Sequence, residues 1–299
     1  KFHEFEETFR QTISKRIEAL KAYIEKSGQR SYRVALESEV KVVMLEMLVN
    51  NFFGANIAYE EIRDRYVPAL ERIIERIMSD TAINQIDIPL KAMPVITKKQ
   101  KQARKDIADF EELTDLVLAP RKDGRGLWKQ FKSDVPDEKL RSNIRVFLAG
   151  ALEATTSFAT WALAHLARHE DIQQHVYQEV KNIDTYTPDN LDQAKYLNQV
   201  LEETLRLTPL LYFLPRKATA DTWIDAEDGR KMFIPRGTHI LLDVWHANRL
   251  EEYWGVKATG HAASEFAPQR WEKLMAQGAN PKNFLHYGFG HGARVCPGK

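Results

Sequence analysis

The sequence predicts a mainly α fold with a small β-sheet. Three observations carry this. Apolar residues recur at helical spacing over most of the chain up to Leu207. The longest helical signal runs from 136 to 169. Between Asp221 and Val244 the pattern changes to short runs of strand-forming residues broken by turn residues.

Residues 3 to 27 place Phe5, Phe9, Ile13, Ile17, Leu20 and Ile24 on one stripe, ended by Ser27-Gly28. Residues 34 to 53 give a greasier helix with Val40, Val43, Met44, Met47 and Leu48, stopped by Gly54. A third helix runs from about Tyr59 to Met78, and Pro68 is expected to kink or divide it. Ile86 to Thr97, with Pro89 and Pro94, reads as a loop. A basic helix follows. Its Lys98, Lys99, Lys101, Arg104 and Lys105 read as a solvated face, with a membrane-facing patch as the sharper alternative, and Phe110, Leu113 and Leu116 form the other face.

In the long helix Pro136 suits the first turn, and Asp137 and Glu138 suit the positive end of the dipole. The run Val146 to Leu152 is apolar on all sides, so the helix is expected to cross the interior, spanning about 50 Å at 1.5 Å per residue. Glu153 within it needs a partner or a role, because a buried carboxylate is costly. Residues 189 to 207 form another helix, stopped by Pro209. There Glu203 and Arg206 share a face. At the surface such a pair contributes a few tenths of a kcal/mol. Leu201, Leu205 and Leu207 argue for burial, where the pair needs further partners. Thr222 to Ile224 and Lys231 to Ile234 read as a hairpin around Glu227-Asp228-Gly229, and Thr238 to Val244 as a third strand. Residues 246 to 283 read as mostly irregular, with Phe266, Pro268, Arg270 and Trp271 close together.

The bulk numbers set bounds. The chain has 299 residues, 43% hydrophobic and 28% charged, with a formal net charge of +1. That is globular, with material for a sizeable core. Nothing in it points to nucleic acid. A single cysteine, Cys296, forms no internal disulfide. No apolar run approaches the length of a membrane span. The chain starts without Met in what reads as mid-helix and stops three residues past its cysteine. It is therefore read as part of a longer protein, cytoplasmic if soluble or membrane-anchored through residues further upstream.

The chemistry gathers at the end of the chain. Gly288, Gly290, Gly292 and Gly298 surround Cys296, and Arg294 stands two positions before it. A phosphate loop is one reading, but five residues separate Gly292 from Gly298 where four are required. A thiolate ligand is the other: glycines admit backbone close to a flat cofactor, and backbone N–H groups offset the charge of sulfur. A lone cysteine is ordinarily a small buried apolar residue, and the glycines and the arginine overturn that prior. His165 and His169 have zinc-ligand spacing. They lack a third ligand and sit where histidines complement a helix C-terminus, so metal binding there is set aside.

Phe289-Gly290-His291-Gly292-Ala293-Arg294-Val295-Cys296-Pro297-Gly298 resembles the haem-binding signature of the cytochrome P450 family at each defining position. Glu203-Thr204-Leu205-Arg206 resembles that family's Glu-x-x-Arg helix. Phe266-Ala267-Pro268-Gln269-Arg270-Trp271 resembles the segment whose arginine completes the Glu/Arg network, and Ala149-Gly150 through Thr156 resembles the oxygen-activating segment. The four come in the family's order, and the resemblance covers about residues 30 to 299.

The resemblance implies a P450-like helical fold with a long central helix. Residues 1–299 would be a single partial haem-thiolate domain, lacking the N-terminal helices and the helix after the cysteine loop. It implies haem b, iron protoporphyrin IX, with Cys296 as the proximal ligand, whose thiolate pushes electron density onto iron. Phe289, Gly298, Ala149 and Gly150 would lie against the cofactor. Arg294 and Arg216 would pair with its propionates, with His239 a weaker candidate. Glu203, Arg206 and Arg270 would form the structural network holding the loop. The implied activity is monooxygenation of an apolar organic substrate by dioxygen, with electrons from a separate reductase or ferredoxin. Val146, Ala151, Leu211, Tyr212, Phe213 and Leu214 would line the substrate pocket. Peroxygenase or rearrangement chemistry on the same fold, or a non-catalytic helical binding module, are the alternatives.

One departure stands out. Family members usually carry an acid followed directly by threonine, whereas here Ala154 follows Glu153 and the hydroxyls come later, at Thr155 and Thr156. One residue turns a helix by about 100°, so Thr155 does not simply replace a hydroxyl at 154. Three explanations remain: substrate or ordered water supplies the missing hydroxyl, peroxide replaces dioxygen, or a local widening of the helix brings Thr155 into reach. The first is favoured.

Overall fold

The computed structural model describes residues 3–31, 33–83, 98–129, 131, 135–183, 185–226, 228–278, 286–290, 292–296 and 298. For residues 3, 4, 78–83, 188 and 294 it describes the backbone alone. The expected loop at 86–97 lies outside the described residues, as does Glu227 of the hairpin turn. The fold is mainly helical with a little antiparallel sheet, as expected. It divides into two compact units, residues 1–160 and 161–299.

In the first unit α1 (His3–Ser27) matches its periodic stripe, but Ile13 and Ile17 are exposed and Phe5 is the stripe's buried residue. Helix α2 (Leu36–Glu46) continues into a π-helical stretch, Met47–Phe52. Gly54 ends it at a φ of +77°, and a Cβ there would lie 2.8 Å from the backbone N of Gly126. Two glycines thus let two backbones cross where no side chain fits.

A short α3 (Tyr59–Glu61) runs through a π-helical stretch, Ile62–Tyr66, into α4 (Val67–Ile83). Pro68 therefore neither divides nor ends this helix, as the ladder widens just ahead of the residue that lacks an N–H. The expected basic helix is α5 (Lys98–Leu118), and its five named basic residues are exposed. Arg72 on α4 reaches the buried Asp106 on α5 at 2.7 Å.

The long helix is α6 (Asp137–Arg168). Ile144, Leu148 and Leu152 enter a core with Leu45, Val49 and Leu113. A fully buried leucine contributes about 1.5–3 kcal/mol. The expectation that Val146 to Leu152 is enclosed on all sides is overturned: Val146 is 75% exposed and Phe147 46%. The stripe bearing 144, 148 and 152 is buried in this core, and Phe147, though half exposed, meets Phe53 edge-on at 5.9 Å. Contrary to the expectation that no apolar run approaches a membrane span, α6 is long and apolar enough to cross one by length and composition alone. Its inward stripe and the ion pair at Glu153, described below, are features of a helix packed in protein.

In the second unit α7 (Glu170–Val180) packs Ile172 and Val176 against Tyr196 and Val200. The helix expected over 189–207 is two, α8 (Pro188–Gln193) and α9 (Lys195–Leu207). Ala194 leaves helical geometry between them, and Glu179 accepts the freed N–H groups of Tyr196 and Leu197 at 3.0 and 2.8 Å.

The hairpin forms as expected, β2 (Thr222–Asp225) antiparallel to β3 (Lys231–Ile234). The third strand does not join it. It is β4 (His239–Asp243), paired with an unforeseen β1 (Phe213–Lys217) in a separate two-stranded sheet. Residues 246–278 are less irregular than expected, with α10 (Val244–Ala247), α11 (Glu251–Trp254), α12 (Val256–Thr259) and α13 (Arg270–Ala276).

Candidate active site

The centre of the second unit is a buried carboxylate. Helix α9 buries Tyr196, Val200, Glu203 and Leu207 along one face, so packing carries Glu203 inward. Glu203, Arg206 and Arg270 are each 0% exposed. Oε1 of Glu203 accepts from Arg206 Nη2 at 2.8 Å, Arg270 Nε at 2.8 Å and the Ala267 N–H at 3.0 Å. Oε2 accepts from Arg206 Nε at 2.9 Å and Trp271 Nε1 at 3.0 Å. Burial pushes the Glu203 carboxyl up, but these donors outweigh it and hold the group below its usual range.

Two guanidiniums against one carboxylate leave a positive excess, which backbone carbonyls absorb. Arg206 donates to Asn248 O and Ala263 O at 2.8 and 2.7 Å, and Arg270 to Ala262 O and Glu265 O at 2.9 Å each. Arg270 also donates to Trp254 O. The pair's missing partners are therefore a third charged residue and the carbonyls of 248–265. Those contacts order a segment whose local pattern was weak.

The cysteine loop hangs from this network. Asn248 donates to Arg206 O at 3.1 Å and accepts the Tyr287 N–H at 3.2 Å. Tyr287 O accepts from Gly290 N at 3.0 Å, and Phe289 O accepts from Cys296 N at 2.9 Å. Gly290 and Gly292 have φ of +71° and +77°, and a Cβ on Gly292 would meet nothing within 4 Å. Cys296 is exposed, and Gly298 N donates to its Sγ at 3.3 Å. Asn248 and His286, at the base of the loop, were not singled out from sequence, and Trp271 was named there without its bond to Glu203. An asparagine outside any turn motif gave no signal for its role.

In the first unit Glu153 has a partner that sequence reasoning missed. Lys41 on α2, 4% exposed, places Nζ 3.3 Å from Glu153, 3.0 Å from Glu71 and 3.6 Å from Glu37. Burial pushes the Lys41 ammonium down, but Glu71 and Glu153 outweigh it and raise it above its usual range. Helix α6 is α-helical throughout, so the widening considered for Thr155 is not found. The Thr155 hydroxyl donates back to Ala151 O at 2.5 Å. Thr156 is 1% exposed, and its Oγ1 has no hydrogen-bond partner among the described residues. A Cβ on Gly150 would meet nothing within 4 Å. Ala149, Ala151 and Ala154 are half-buried.

Other candidates fall as follows. Arg216 is exposed on β1 and donates to Pro215 O. His239 is exposed at the end of β4. Leu211, Tyr212 and Phe213 are exposed, and Leu214 is buried, its Cδ1 3.9 Å from where a Gly290 Cβ would sit. The Arg294 side chain, His291 and Pro297 lie outside the described residues. His165 stacks on Phe266 with centroids 4.2 Å apart, and burial, then His169 and Arg168, push it down to about 4. Among the described residues no three His, Cys, Asp or Glu groups converge as metal ligands.

These residues fit a haem. One exposed sulfur with an N–H upon it, in a loop where a Cβ on Gly292 would meet nothing within 4 Å, suits a metal carried in a flat cofactor. A family model described as cytochrome P450 matches residues 1–299, and the chain belongs to that family. The match takes in the first 30 residues, beyond the motif-based estimate.

Among curated proteins the chain is 31% identical to premnaspirodiene oxygenase of Hyoscyamus muticus over 193 residues, 63% of this chain and 35% of that protein. It is 24% identical to cytochrome P450 3A6 of Oryctolagus cuniculus over 298 residues, 92% and 57% respectively. It is 29% identical to costunolide synthase of Lactuca sativa over 211 residues, 68% and 39%. The chain thus spans between about a third and three fifths of the length of these relatives.

Proposed function

We propose that residues 1–299 belong to one haem-thiolate domain of a monooxygenase, acting on an apolar organic substrate with electrons from a separate reductase or ferredoxin. The observation that carries this is the exposed Cys296, with the Gly298 N–H on its sulfur, at the end of a loop tied to a fully buried Glu203–Arg206–Arg270 network. Haem b, when bound, supplies the activation of dioxygen that places one oxygen atom in the substrate. Cys296 would hold the iron through its thiolate, and Gly298 would tune that sulfur. Phe289, Ala149 and Gly150 would lie against the macrocycle, and Arg294 and Arg216 would pair with its carboxylates. Glu153 would move protons, held in place by Lys41. The printed name of one relative, an oxygenase, supports oxygen-inserting chemistry.

The test is the carbon-monoxide difference spectrum of the reduced, haem-loaded protein. A thiolate-type band is expected, and its absence with haem intact sinks the proposal. Peroxide-driven chemistry is the second reading, favoured by the Thr155 hydroxyl being committed to Ala151 O. Turnover with peroxide, compared with turnover on oxygen and an electron donor, separates the two.

A further inference from the structure

At the head of the cysteine loop both ring nitrogens of His286 are engaged. Nε2 lies 2.7 Å from Oε2 of Glu202 on α9, and Nδ1 accepts the Gly288 N–H at 2.9 Å. The residue is 8% exposed, and Trp271 meets the ring edge-on at 5.8 Å. An N–H aimed at Nδ1 needs that nitrogen's lone pair, and a carboxylate beside Nε2 needs a hydrogen there. The neutral Nε2–H tautomer satisfies both, and no other state of the ring does.

Gly288 is equally constrained. A Cβ there would come within 2.8 Å of the ring and 3.3 Å of Leu205 Cβ on α9. The ring therefore holds a backbone that only glycine brings so close. The preceding amide, of Tyr287, goes to Asn248. Two successive N–H groups at the base of the loop are thus received by side chains before the chain turns back and Cys296 N bonds Phe289 O.

We propose that His286 is a positioning residue for Cys296: its Nδ1, as an acceptor, fixes the Gly288 amide and with it the register in which the loop presents its sulfur. This rests on the haem-thiolate reading above. Glu202 orients the ring, and the acceptor does the positioning.

Three variants separate the parts. His286→Asn keeps an oxygen near the place of Nδ1 but is too short for Glu202. His286→Gln keeps a donor for Glu202 and has no acceptor beside Gly288. His286→Leu has neither. The readouts are the fraction of reduced, carbon-monoxide-bound protein showing the thiolate-type band, and the thermal midpoint of the same haem-loaded samples. His286→Asn is expected to stay near wild type. His286→Gln is expected to show a roughly tenfold lower ratio of thiolate-type to other forms, the scale of one lost buried hydrogen bond, at a midpoint close to that of His286→Asn. His286→Leu should fall at least as far, and if it does not fold, the Asn and Gln pair decides. Equal behaviour of Asn and Gln, whether both intact or both impaired, overturns the proposal. A wild-type protein without the band overturns the haem-thiolate reading itself, whereas a wild-type band with unaffected variants overturns this inference alone.

Discussion

Arg206 and Asn248 exchange two hydrogen bonds: Arg206 Nη1 donates to the Asn248 carbonyl at 2.8 Å, and Asn248 Nδ2 donates to the Arg206 carbonyl at 3.1 Å. The asparagine's remaining oxygen takes the Tyr287 N–H at 3.2 Å. One 1%-exposed side chain therefore joins the buried ion network to the base of the cysteine loop. Asn248→Ala leaves that N–H and the Arg206 carbonyl short of a partner, at about 1–3 kcal/mol for each group left unsatisfied. Chemical denaturation should show that loss, and haem titration should show weaker retention. A variant as stable as wild type would mean that the loop is held elsewhere.

Glu203→Gln should be among the most damaging single changes, because it leaves two buried guanidiniums without their carboxylate. The loss expected is about 3–5 kcal/mol. The pH sign follows from the direction of the shift. The folded-state pKa of Glu203 is lowered from 4.5, so its contribution is present above the unfolded value and is lost as pH falls through the lower folded one. Unfolding free energy measured from pH 6 downward should fall more steeply in wild type than in Glu203→Gln. Parallel curves would rule this out.

Much of the fold was legible because its signals are local. Stripes of period 3.6 located α1, α5 and α6, and the glycine-flanked cysteine located the loop. What escaped depends on distant partners. Strand β1 has one buried residue in five and a proline at its centre, so no alternation marks it, and its pairing with β4 sets it. The short helices between 244 and 276 are organised by carbonyls reaching Arg206 and Arg270, which no local pattern records. Lys41 carries no local signal in α2, and its burial is made tolerable by Glu71 and Glu153, which come to it from other helices. In α6 composition overstated enclosure: Val146 is as apolar as Leu148 yet exposed, since it lies off the buried stripe through 144, 148 and 152.

His165 offers a second pH test, at higher pH. Its folded-state pKa is lowered from 6.5 to about 4, chiefly by burial, with His169 and Arg168 adding to it. Between those values the unfolded chain binds the proton more readily, so stability falls as pH drops from about 6.5 toward 4. His165→Phe, which keeps a ring to stack on Phe266, should flatten that limb by a few kcal/mol at most. An unchanged slope from pH 7 to 4 would show that other groups carry it.

Ala154→Thr restores a hydroxyl next to the acid. If substrate or ordered water already supplies one, oxygen-dependent turnover and its coupling to electron consumption should stay within about twofold of wild type, well under the roughly 10²–10⁴-fold effect of a positioned proton donor. A large gain in coupling would show that the missing hydroxyl had been limiting.

Lys41→Met tests whether Glu153 depends on its counter-charge. The ammonium faces three carboxylates, of which Glu153 is 30% exposed at its side chain, Glu71 43% and Glu37 67%. Solvent screens the two outer ones, so the stability cost is set at about 1–3 kcal/mol, below that of a fully buried pair. Its sign with pH is opposite to that of Glu203. The Lys41 pKa is raised, so its contribution is complete below the unfolded value of 10.5 and is lost as pH climbs through the folded one. The variant should therefore be less stable than wild type at pH 7 and converge with it at alkaline pH. Coupled turnover should fall with stability, because Glu153 loses its anchor, and Lys41→Arg should recover part of both. A variant that loses stability but keeps wild-type coupling would leave Lys41 a structural residue and remove it from the proton route.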